Sequence, residues 1–252
     1  MDLQLKGKKA LVTGGTRGIG RAIAETLTDE GCDVAICARN AEMVDEAVEA
    51  FAAKGVAAFG EALDVSDGDA LKAWVEASAT TLGGIDILVP NVTGNAAPGE
   101  AGWRSHFDHD LLGTVRMVDA AMSHLSASDS GSIIMISSTA ALEKFMAAGP
   151  YNAIKAALLN YSGALAQDLA PKGIRVNIIS PGPIFVEGGT WDHIKRDMAP
   201  FYEATVADIP LGRMGTGGEV AAQVALLASP RAGFTTGTNV VIDGGITKRI
   251  QF

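Results

Sequence analysis

The feature that most constrains this chain is an alternation of short apolar runs, rich in β-branched residues, with longer alanine-rich amphipathic stretches. Strands that are apolar along their whole length are buried on both faces, which is typical of a parallel sheet with helical crossovers. The alternation predicts an α/β fold with helices on both faces of a mostly parallel sheet. The predicted strands are residues 9–13, 33–38, 56–63, 85–90, 132–137, 174–180 and 239–242. The predicted helices are residues 18–29, 41–54, 67–82, 102–125, 149–170 and 218–227.

One domain over residues 1–252 is the simplest organisation, because no internal repeat, low-complexity tract or block of like charge marks a linker. The regular rhythm is broken only at residues 181–217, where prolines at 181, 183, 200 and 210 surround a short helical stretch at 191–202. A long excursion after a strand end is often a functional lid. We predict that residues 183–217 form a lid on the substrate side.

Charge and hydropathy exclude several partners. The chain carries 20 basic and 29 acidic side chains, a net charge of −9, which opposes binding to nucleic acid or to an anionic membrane surface. No run approaches the ~18 apolar residues of a membrane span, and the first residues lack the order of regions of a secretory signal. We expect a cytoplasmic protein. The odd separation of Cys32 and Cys37 directs them to opposite faces of one strand, so we predict no disulfide between them.

The first predicted strand runs into a helix through the sequence TGGTRGIG at residues 13–20. Glycines here allow a tight turn and let backbone N–H groups at the helix start approach a pyrophosphate. The three glycines that define the spacing of this turn are Gly14, Gly18 and Gly20. A plain glycine turn before a helix is the alternative interpretation.

Tyr151 and Lys155 are four residues apart in a predicted helix and share one of its faces. A nearby ammonium favours the ionised form of a phenol, whose ordinary pKa is about 10. Tyr151 thereby becomes a usable acid and base near neutral pH. Such a pair alone is a weak signal, since surface helices produce it by chance.

Four motifs in order make the signal strong, and together they resemble the short-chain dehydrogenase/reductase family. They are the glycine spacing of residues 14–20, Ser138 placed thirteen residues before Tyr151 with its Lys155 partner, the sequence RVNIISPG at 175–182, and DGG at 243–245. The resemblance covers residues 6–245. It implies a doubly wound Rossmann fold with seven strands in the order 3-2-1-4-5-6-7.

The resemblance also implies a reaction that interconverts a ketone and a secondary alcohol by hydride transfer. Ser138 would hydrogen-bond the substrate oxygen, Tyr151 would transfer the proton, and Lys155 would hold the nicotinamide ribose and stabilise the tyrosinate. Ser137 is the immediate competitor of Ser138, but strand alternation directs the two serines to opposite sides. The implied dinucleotide-binding residues are Gly14, Thr16, Arg17, Gly18, Ile19, Gly20, Arg39, Asp64, Val65, Asn91, Gly94, Tyr151, Lys155, Pro181, Gly182 and Ile184.

The end of the second strand indicates which dinucleotide is bound. A carboxylate there would bind the ribose 2′-hydroxyl of NAD, whereas a cation pairs with a 2′-phosphate. The chain offers Arg39 and no acid, and Arg17 adds a second positive charge. Both favour NADP(H), with NAD(H) possible; the alternative is that both arginines are solvated surface residues.

The chain departs from the family pattern in helix four, where relatives carry an asparagine that completes a proton relay. Trp103 matches a tryptophan that often lies seven residues earlier, and the relay position then holds Asp110. A carboxylate beside Lys155 would bind the ammonium tightly and oppose ionisation of Tyr151.

Other departures affect the same end of the molecule. The family's Asn-Asn-Ala-Gly is NVTG at residues 91–94, which keeps only its outer pair, and Val186 replaces a threonine that often reaches the carboxamide. His106 and His109 near Asp108 and Asp110 could suggest a metal site, but a solvated helix face is the simpler interpretation and we predict no metal.

Apolar side chains of the excursion could form a pocket for a small cyclic, aromatic or medium-chain carbonyl compound. Two alternatives stay open. One is a 3-oxoacyl-(acyl-carrier-protein) reductase, although residues 125–131 lack basic residues for an acidic carrier; the other is a dinucleotide sensor without catalysis. An S-adenosylmethionine methyltransferase would share the glycine loop but would not need Tyr151 and Lys155. Relatives imply a homotetramer, and the alanine-rich face of residues 153–164 suits close helix packing.

Overall fold

Parallel strands form the centre of the computed structural model, which describes residues 1–250. The strands are β1 (Lys9–Thr13), β2 (Asp33–Ala38), β3 (Ala58–Ala62), β4 (Ile87–Val89), β5 (Ser132–Ile136), β6 (Arg175–Pro181), β7 (Ile184–Phe185), β8 (Gly215–Thr216) and β9 (Asn239–Ile242). Seven of them form one sheet in the order β3-β2-β1-β4-β5-β6-β9, and β7 pairs with β8 in a small separate sheet. Within residues 1–250 every strand pair is parallel. The predicted parallel sheet and strand order are confirmed; residues 251 and 252 of the predicted domain lie outside the described range.

Helices cover both faces of the sheet, as predicted. They are α1 (Gly18–Asp29), α2 (Ala41–Ala52), α3 (Gly68–Leu82), α4 (Gly99–His106), α5 (Gly113–Ala127), α6 (Pro150–Leu169), α7 (Thr190–Asp197), α8 (Ala199–Asp208) and α9 (Gly217–Ala228). Apolar side chains of α1, α2 and α9 form the core on one face. Those of α3, α5 and α6 form the core on the other face. No helix in the described part of the chain is long and apolar enough to cross a membrane.

The strands supply both cores because successive side chains point to opposite faces. In β2, Val34 and Ile36 pack with one core, and Ala35 and Cys37 pack with the other. Cys32 lies in the first core and Cys37 in the second, and both thiols are free and buried. The prediction that these cysteines face opposite ways and form no disulfide is confirmed.

The fourth helical region differs from the single helix predicted over residues 102–125. Its first segment, α4, already begins after Pro98, and a π-helical turn at Phe107–Leu112 separates α4 from α5. Such turns insert an extra residue into the helix and are frequent at functional sites. The prediction of an uninterrupted helix is wrong here because residue propensities do not signal a π-helical turn.

The excursion after β6 also differs from its prediction. One helical stretch was expected over residues 191–202, but α7 ends near Met198 and α8 is a separate helix. The backbone leaves the helical region at Met198, with φ −139° and ψ 48°, and Pro200 lies in the first turn of α8, where its missing N–H costs nothing. No residue of α7 or α8 is fully buried. This segment therefore has little apolar packing to hold it against the sheet.

Candidate active site

The turn between β1 and α1 depends on two glycines. Gly14 has a φ of +68°, in the left-handed region that favours glycine. A Cβ atom on Gly20 would collide with the carbonyl oxygen of Gly14. The backbone can therefore fold closely over the end of β1, which is the approach that a pyrophosphate needs.

The start of α1 has no side-chain cap. Arg17 occupies its N-cap position without a capping hydrogen bond from its side chain, whereas Asn40, Asp67 and Thr216 cap α2, α3 and α9. The first turn of α1 also has no acidic residue. Free N–H groups at a helix start attract anions, so the local structure fits a dinucleotide phosphate flanked by Thr16, Gly18 and Ile19.

Asn91 fixes the end of β4 to the end of β1. Its backbone N–H donates to Thr13 Oγ1 over 2.9 Å, and its side-chain Nδ2 donates to the Thr13 carbonyl over 3.0 Å. Asn91 thus supports the glycine turn from the neighbouring strand. Its role in the structure is to hold the glycine turn in place.

The two arginines that favour NADP(H) are both exposed. Neither Arg17 nor Arg39 forms an ion pair or a side-chain hydrogen bond with any described residue. Asn40, next to Arg39, uses its side chain to accept from the N–H of Met43 and so caps α2. The end of β2 therefore presents a positive charge and no carboxylate to a ribose at this edge.

Asp64 and Val65 follow β3 at the same edge. Asp64 Oδ1 accepts from the N–H and the hydroxyl of Ser66, and His109 Nε2 lies 3.0 Å from it without the alignment of a hydrogen bond. Burial works against ionisation of Asp64, but the bonds from Ser66 and the charge of His109 outweigh it and lower the pKa of this carboxyl. Val65 is buried in the core beneath. The Ser66 bonds, rather than a helix cap, account for the local position of Asp64.

The two serines after β5 have different partners. The Ser137 hydroxyl donates to the carbonyl of Lys155 over 2.9 Å and so ties the strand end to α6. Ser138 Oγ accepts from the N–H of Ala140 over 3.1 Å, and no acceptor for its own proton is found among residues 1–250. Ser137 is thus committed to structure, whereas Ser138 keeps a donor to offer.

Tyr151 and Lys155 lie in the first turns of α6, with Tyr151 half-buried and Lys155 only 3% exposed. The Lys155 Nζ atom donates to the Ile136 carbonyl over 3.0 Å and is 5.9 Å from the centre of the Tyr151 ring. A buried ammonium needs a compensating charge. Asp110 supplies it, with Oδ1 only 2.9 Å from Lys155 Nζ.

Asp110 is fully buried in the π-helical turn and accepts from four donors. The Thr93 hydroxyl (2.8 Å) and Lys155 bind Oδ1, while the Gly94 N–H (2.7 Å) and His106 Nδ1 (3.1 Å) bind Oδ2. Burial favours the neutral acid, but Lys155 and the donated hydrogen bonds outweigh it and lower the pKa of Asp110. The carboxylate is therefore ionised and is the centre of a buried network.

This network corrects one sequence-based interpretation and adds two residues. The solvated helix face expected for the histidines is wrong, because His106 is buried and His109 is partly buried. Thr93 and His106 were not predicted as site residues, yet both bind Asp110. The available signal was the coincidence of a threonine at 93 and an aspartate at 110, both departures from the family pattern. Gly94, predicted as a cofactor-binding residue, donates its N–H to Asp110.

The chain turns away from the sheet after β6 at Pro181, Gly182 and Ile184. Gly182 donates its N–H to the Ile242 carbonyl over 2.9 Å, and a Cβ on Gly182 would contact Asp243. Val186 packs near Gly18 of the glycine turn. The segment that follows the predicted residues is therefore brought next to the start of α1 at Val186.

An aromatic contact joins the excursion to the loop between Ser138 and Tyr151. The ring centres of Phe145 and Trp191 are 6.0 Å apart, and Trp191 stacks on Phe201 with centres 6.1 Å apart and planes at 10°. These three rings, which we call the aromatic clamp, connect α7 and α8 to the loop between Ser138 and Tyr151. The clamp places apolar side chains of the excursion against that loop.

Comparisons with known proteins agree with this geometry. A family model described as enoyl-(acyl carrier protein) reductase matches residues 14–247. The chain is 40% identical over 253 residues to isoepoxydon dehydrogenase patN of Penicillium expansum, covering 98% of each chain. It is 34% identical over 245 residues to 3-oxoacyl-(acyl-carrier-protein) reductase FabG of Staphylococcus aureus, covering 95% of this chain and 98% of that one. The crystal structure of L-sorbose reductase from Gluconobacter frateurii, complexed with NADPH and L-sorbose, matches with a TM-score of 0.91 at 30% identity, covering 99% and 100% of the two chains.

Proposed function

The chain belongs to the short-chain dehydrogenase/reductase family and is an oxidoreductase, and from this premise we propose that it interconverts a small ketone and a secondary alcohol with NADP(H). One observation carries the proposal: a buried Lys155 lies one helical turn after Tyr151 and binds the end of β5 at the Ile136 carbonyl, and Ser138, two residues further along that strand end, has a hydroxyl proton to donate. These are the groups that a carbonyl oxygen needs when charge develops on it.

The preference for NADP(H) is supported by the charges at the end of β2. The exposed Arg17 and Arg39 would pair with a 2′-phosphate, and L-sorbose reductase, similar over the whole chain, is complexed with NADPH. The uncapped start of α1 would hold the pyrophosphate, and Asp64 would face the adenine end. When bound, the nicotinamide supplies or accepts the hydride.

The chain's own residues handle the proton and the developing charge. Ser138 donates a hydrogen bond to the substrate oxygen, and Tyr151 gives that oxygen a proton during reduction or takes it during oxidation. Lys155 stabilises the ionised phenol. Removing one such donor from a developing oxyanion costs roughly 10²–10³ in rate.

Asp110 takes the relay position in this proposal. Its negative charge attracts the ammonium of Lys155 strongly, since the two groups are 2.9 Å apart in a buried environment. Less of the positive charge is then available to an ionised phenol than it would be beside an amide. The site keeps its machinery, with weaker electrostatic support for the tyrosinate.

The aromatic clamp supports a small cyclic or aromatic substrate. Its stacked rings offer flat apolar surface, and such surface favours planar or ring-shaped ligands. The relative patN is named for isoepoxydon, and L-sorbose reductase is complexed with a sugar, so both fit a compact oxygenated substrate. The direct test is the loss of NADPH absorbance with a panel of cyclic ketones and quinones. Binding of NADPH without its consumption across the panel would contradict the proposal and favour the dinucleotide sensor.

A 3-oxoacyl-(acyl-carrier-protein) reductase is the second candidate, favoured by the 34% identity to FabG. The segment 125–131 has no basic residue with which to attract an acidic carrier. An oxoacyl thioester offered beside a cyclic ketone distinguishes the two activities. Faster turnover of the carrier-bound thioester than of any free ketone would select this second function.

We also propose a homotetramer, in line with the family. Ala153 and Ala164 of α6 are exposed, and Gly163 has open space at its Cβ position. A helix face of small residues allows close packing against a second copy. Sedimentation of the purified protein tests this, and a monomer at micromolar concentration would contradict it.

A further inference from the structure

His106 contacts both Asp110 and Tyr151. Its Nδ1 atom lies 3.1 Å from Asp110 Oδ2, and its ring centre lies 5.7 Å from that of Tyr151 in an edge-on arrangement at 63°. The side chain is only 4% exposed. One residue outside the Ser-Tyr-Lys set therefore contacts the phenol ring and the carboxylate that pairs with Lys155.

The chemistry of the contact fixes the tautomer. An ionised carboxylate can only accept, so Nδ1 of His106 must carry the proton that bridges to Oδ2. The two carboxylate oxygens of Asp110 have different partners: Oδ1 binds Lys155 and Thr93, while Oδ2 binds His106 and Gly94. Each donor on Oδ2 withdraws negative charge from the oxygen that binds Lys155.

The backbone explains why His106 can reach both partners. It is the last residue of α4, directly before the π-helical turn that contains Asp110, and α4 packs against α6. His106 and Asp110 are thus joined across the junction of the two helix types. The charged and titratable groups that contact His106 are Asp110, in the adjoining π-helical turn, and Tyr151 on α6; Lys155 of α6 contacts both of these partners.

We propose that His106 is a positioning residue for the reaction, holding the Asp110 carboxylate through Nδ1–H and the Tyr151 ring through its edge. The inference rests on the proposed function of Tyr151 as the proton-transfer group. Loss of the Nδ1–H donor would leave more negative charge on Asp110 and strengthen its hold on Lys155. Tyr151 would then ionise at higher pH.

Two variants separate the two contacts. His106→Asn keeps a donor near the position of Nδ1 but loses the aromatic edge, whereas His106→Phe keeps a ring against Tyr151 but loses the donor. In His106→Phe we expect the ionisation of Tyr151 to move up by about one pH unit, the scale of one strong interaction. In His106→Asn we expect it to stay in place, with kcat lowered about threefold through the misplaced ring and the KM for NADPH unchanged.

The readout is the near-ultraviolet absorbance of tyrosinate during a pH titration of the protein, with Tyr151→Phe as the blank. The chain has three tyrosines; burial and the charge of Asp119 raise the pKa of Tyr161 to about 12, which separates it from this titration. The titration needs no turnover, so it tests the role of His106 separately from the reaction. If the proposed reaction does not occur, the ketone panel shows this and the titration does not. Coincident titrations of the parent and His106→Phe would overturn the inference.

Two further measurements keep the proposal testable if a His106 variant fails to fold correctly. Side-chain nitrogen NMR of the parent protein should show His106 protonated at Nδ1, and an unprotonated Nδ1 would overturn the proposed bond without any substitution. In an Asp110→Asn background, His106→Phe should no longer shift the Tyr151 titration, because the charge it acts through is gone. A shift of the same size in both backgrounds would contradict the mechanism.

Discussion

At the residue scale, the departure from the family pattern that changes a charge is Asp110. Asp110 places a full negative charge 2.9 Å from Lys155 where relatives carry a neutral amide. The sequence locates this departure, because Trp103 fixes the register of the helix. The sequence does not predict Thr93 or His106 as partners, since their contacts depend on the π-helical turn and on the packing of α6.

Asp110→Asn should move the pH dependence of the reaction toward acid. Removing the carboxylate leaves the full charge of Lys155 to stabilise tyrosinate, so the pKa of Tyr151 falls and alcohol oxidation reaches its plateau at lower pH. The measurement is the pH profile of kcat/KM for oxidation in parent and variant. An unmoved profile would place Asp110 outside the relay.

The same substitution should change stability as well. Breaking a buried ion pair from one side costs about 3–5 kcal/mol, because Lys155 is left without a counter-ion. The pKa of Asp110 is lowered in the folded state, so its contribution is complete above the ordinary carboxyl range and is lost as pH falls through the lowered value. Denaturant unfolding should therefore show a smaller loss of stability in acid for Asp110→Asn than for the parent. Equal acid dependence would contradict the ion pair.

Arg39→Ala should discriminate between the two dinucleotides. Loss of a charge-assisted pair with the 2′-phosphate should raise the KM for NADPH about tenfold and leave that for NADH nearly unchanged. Arg231→Ala is the matched control, because Arg231 is an exposed arginine after α9, at the opposite edge of the sheet. Equal changes for both cofactors would remove Arg39 from the phosphate site.

At the element scale, the sequence predicted the bounds of those strands and helices that are set by residues within or next to the element. The bounds of β1, β2, β9 and α1 agree with the sequence prediction, because apolar runs and glycines delimit them. The break at Met198 and the π-helical turn were missed. Pro200 signals the break at Met198, whereas the π-helical turn has no residue signal of its own.

The aromatic clamp makes the lid testable as an element. Since α7 and α8 bury no residue completely, the ring contacts of Trp191 should contribute much of their docking energy, about 0.5–1.5 kcal/mol for each aromatic pair. Trp191→Ala should raise the KM for the ketone about tenfold with little change in the Kd for NADPH. Phe234→Ala, at a fully exposed ring, is the control. If Trp191→Ala and Phe234→Ala changed the KM for the ketone equally, the aromatic clamp would have no role in substrate binding.

At the scale of the whole molecule, the site exists only when the sheet is assembled. Its parts come from the ends of β1, β4, β5 and β6, which lie far apart in the sequence and meet at one edge. The motifs therefore predicted which residues meet but not their hydrogen-bond partners. The order of strands followed from the family resemblance, and the alternation of apolar runs predicted only that the sheet was parallel.

Cofactor binding should stabilise the entire fold by mass action. A ligand at one hundred times its Kd adds about 2.7 kcal/mol to the stability of the folded state. Thermal unfolding should shift upward more with NADPH than with an equal concentration of NADH. Identical shifts from the two cofactors would contradict the assignment of Arg17 and Arg39.

The most direct test of the account is the rate at which Tyr151→Phe reduces the best ketone of the panel under saturating NADPH. A phenylalanine keeps the ring but has no proton to give, and general acid catalysis contributes roughly 10²–10⁴ in rate. We predict a loss of that size with NADPH affinity retained. Reduction at the parent rate would contradict the proposed chemistry.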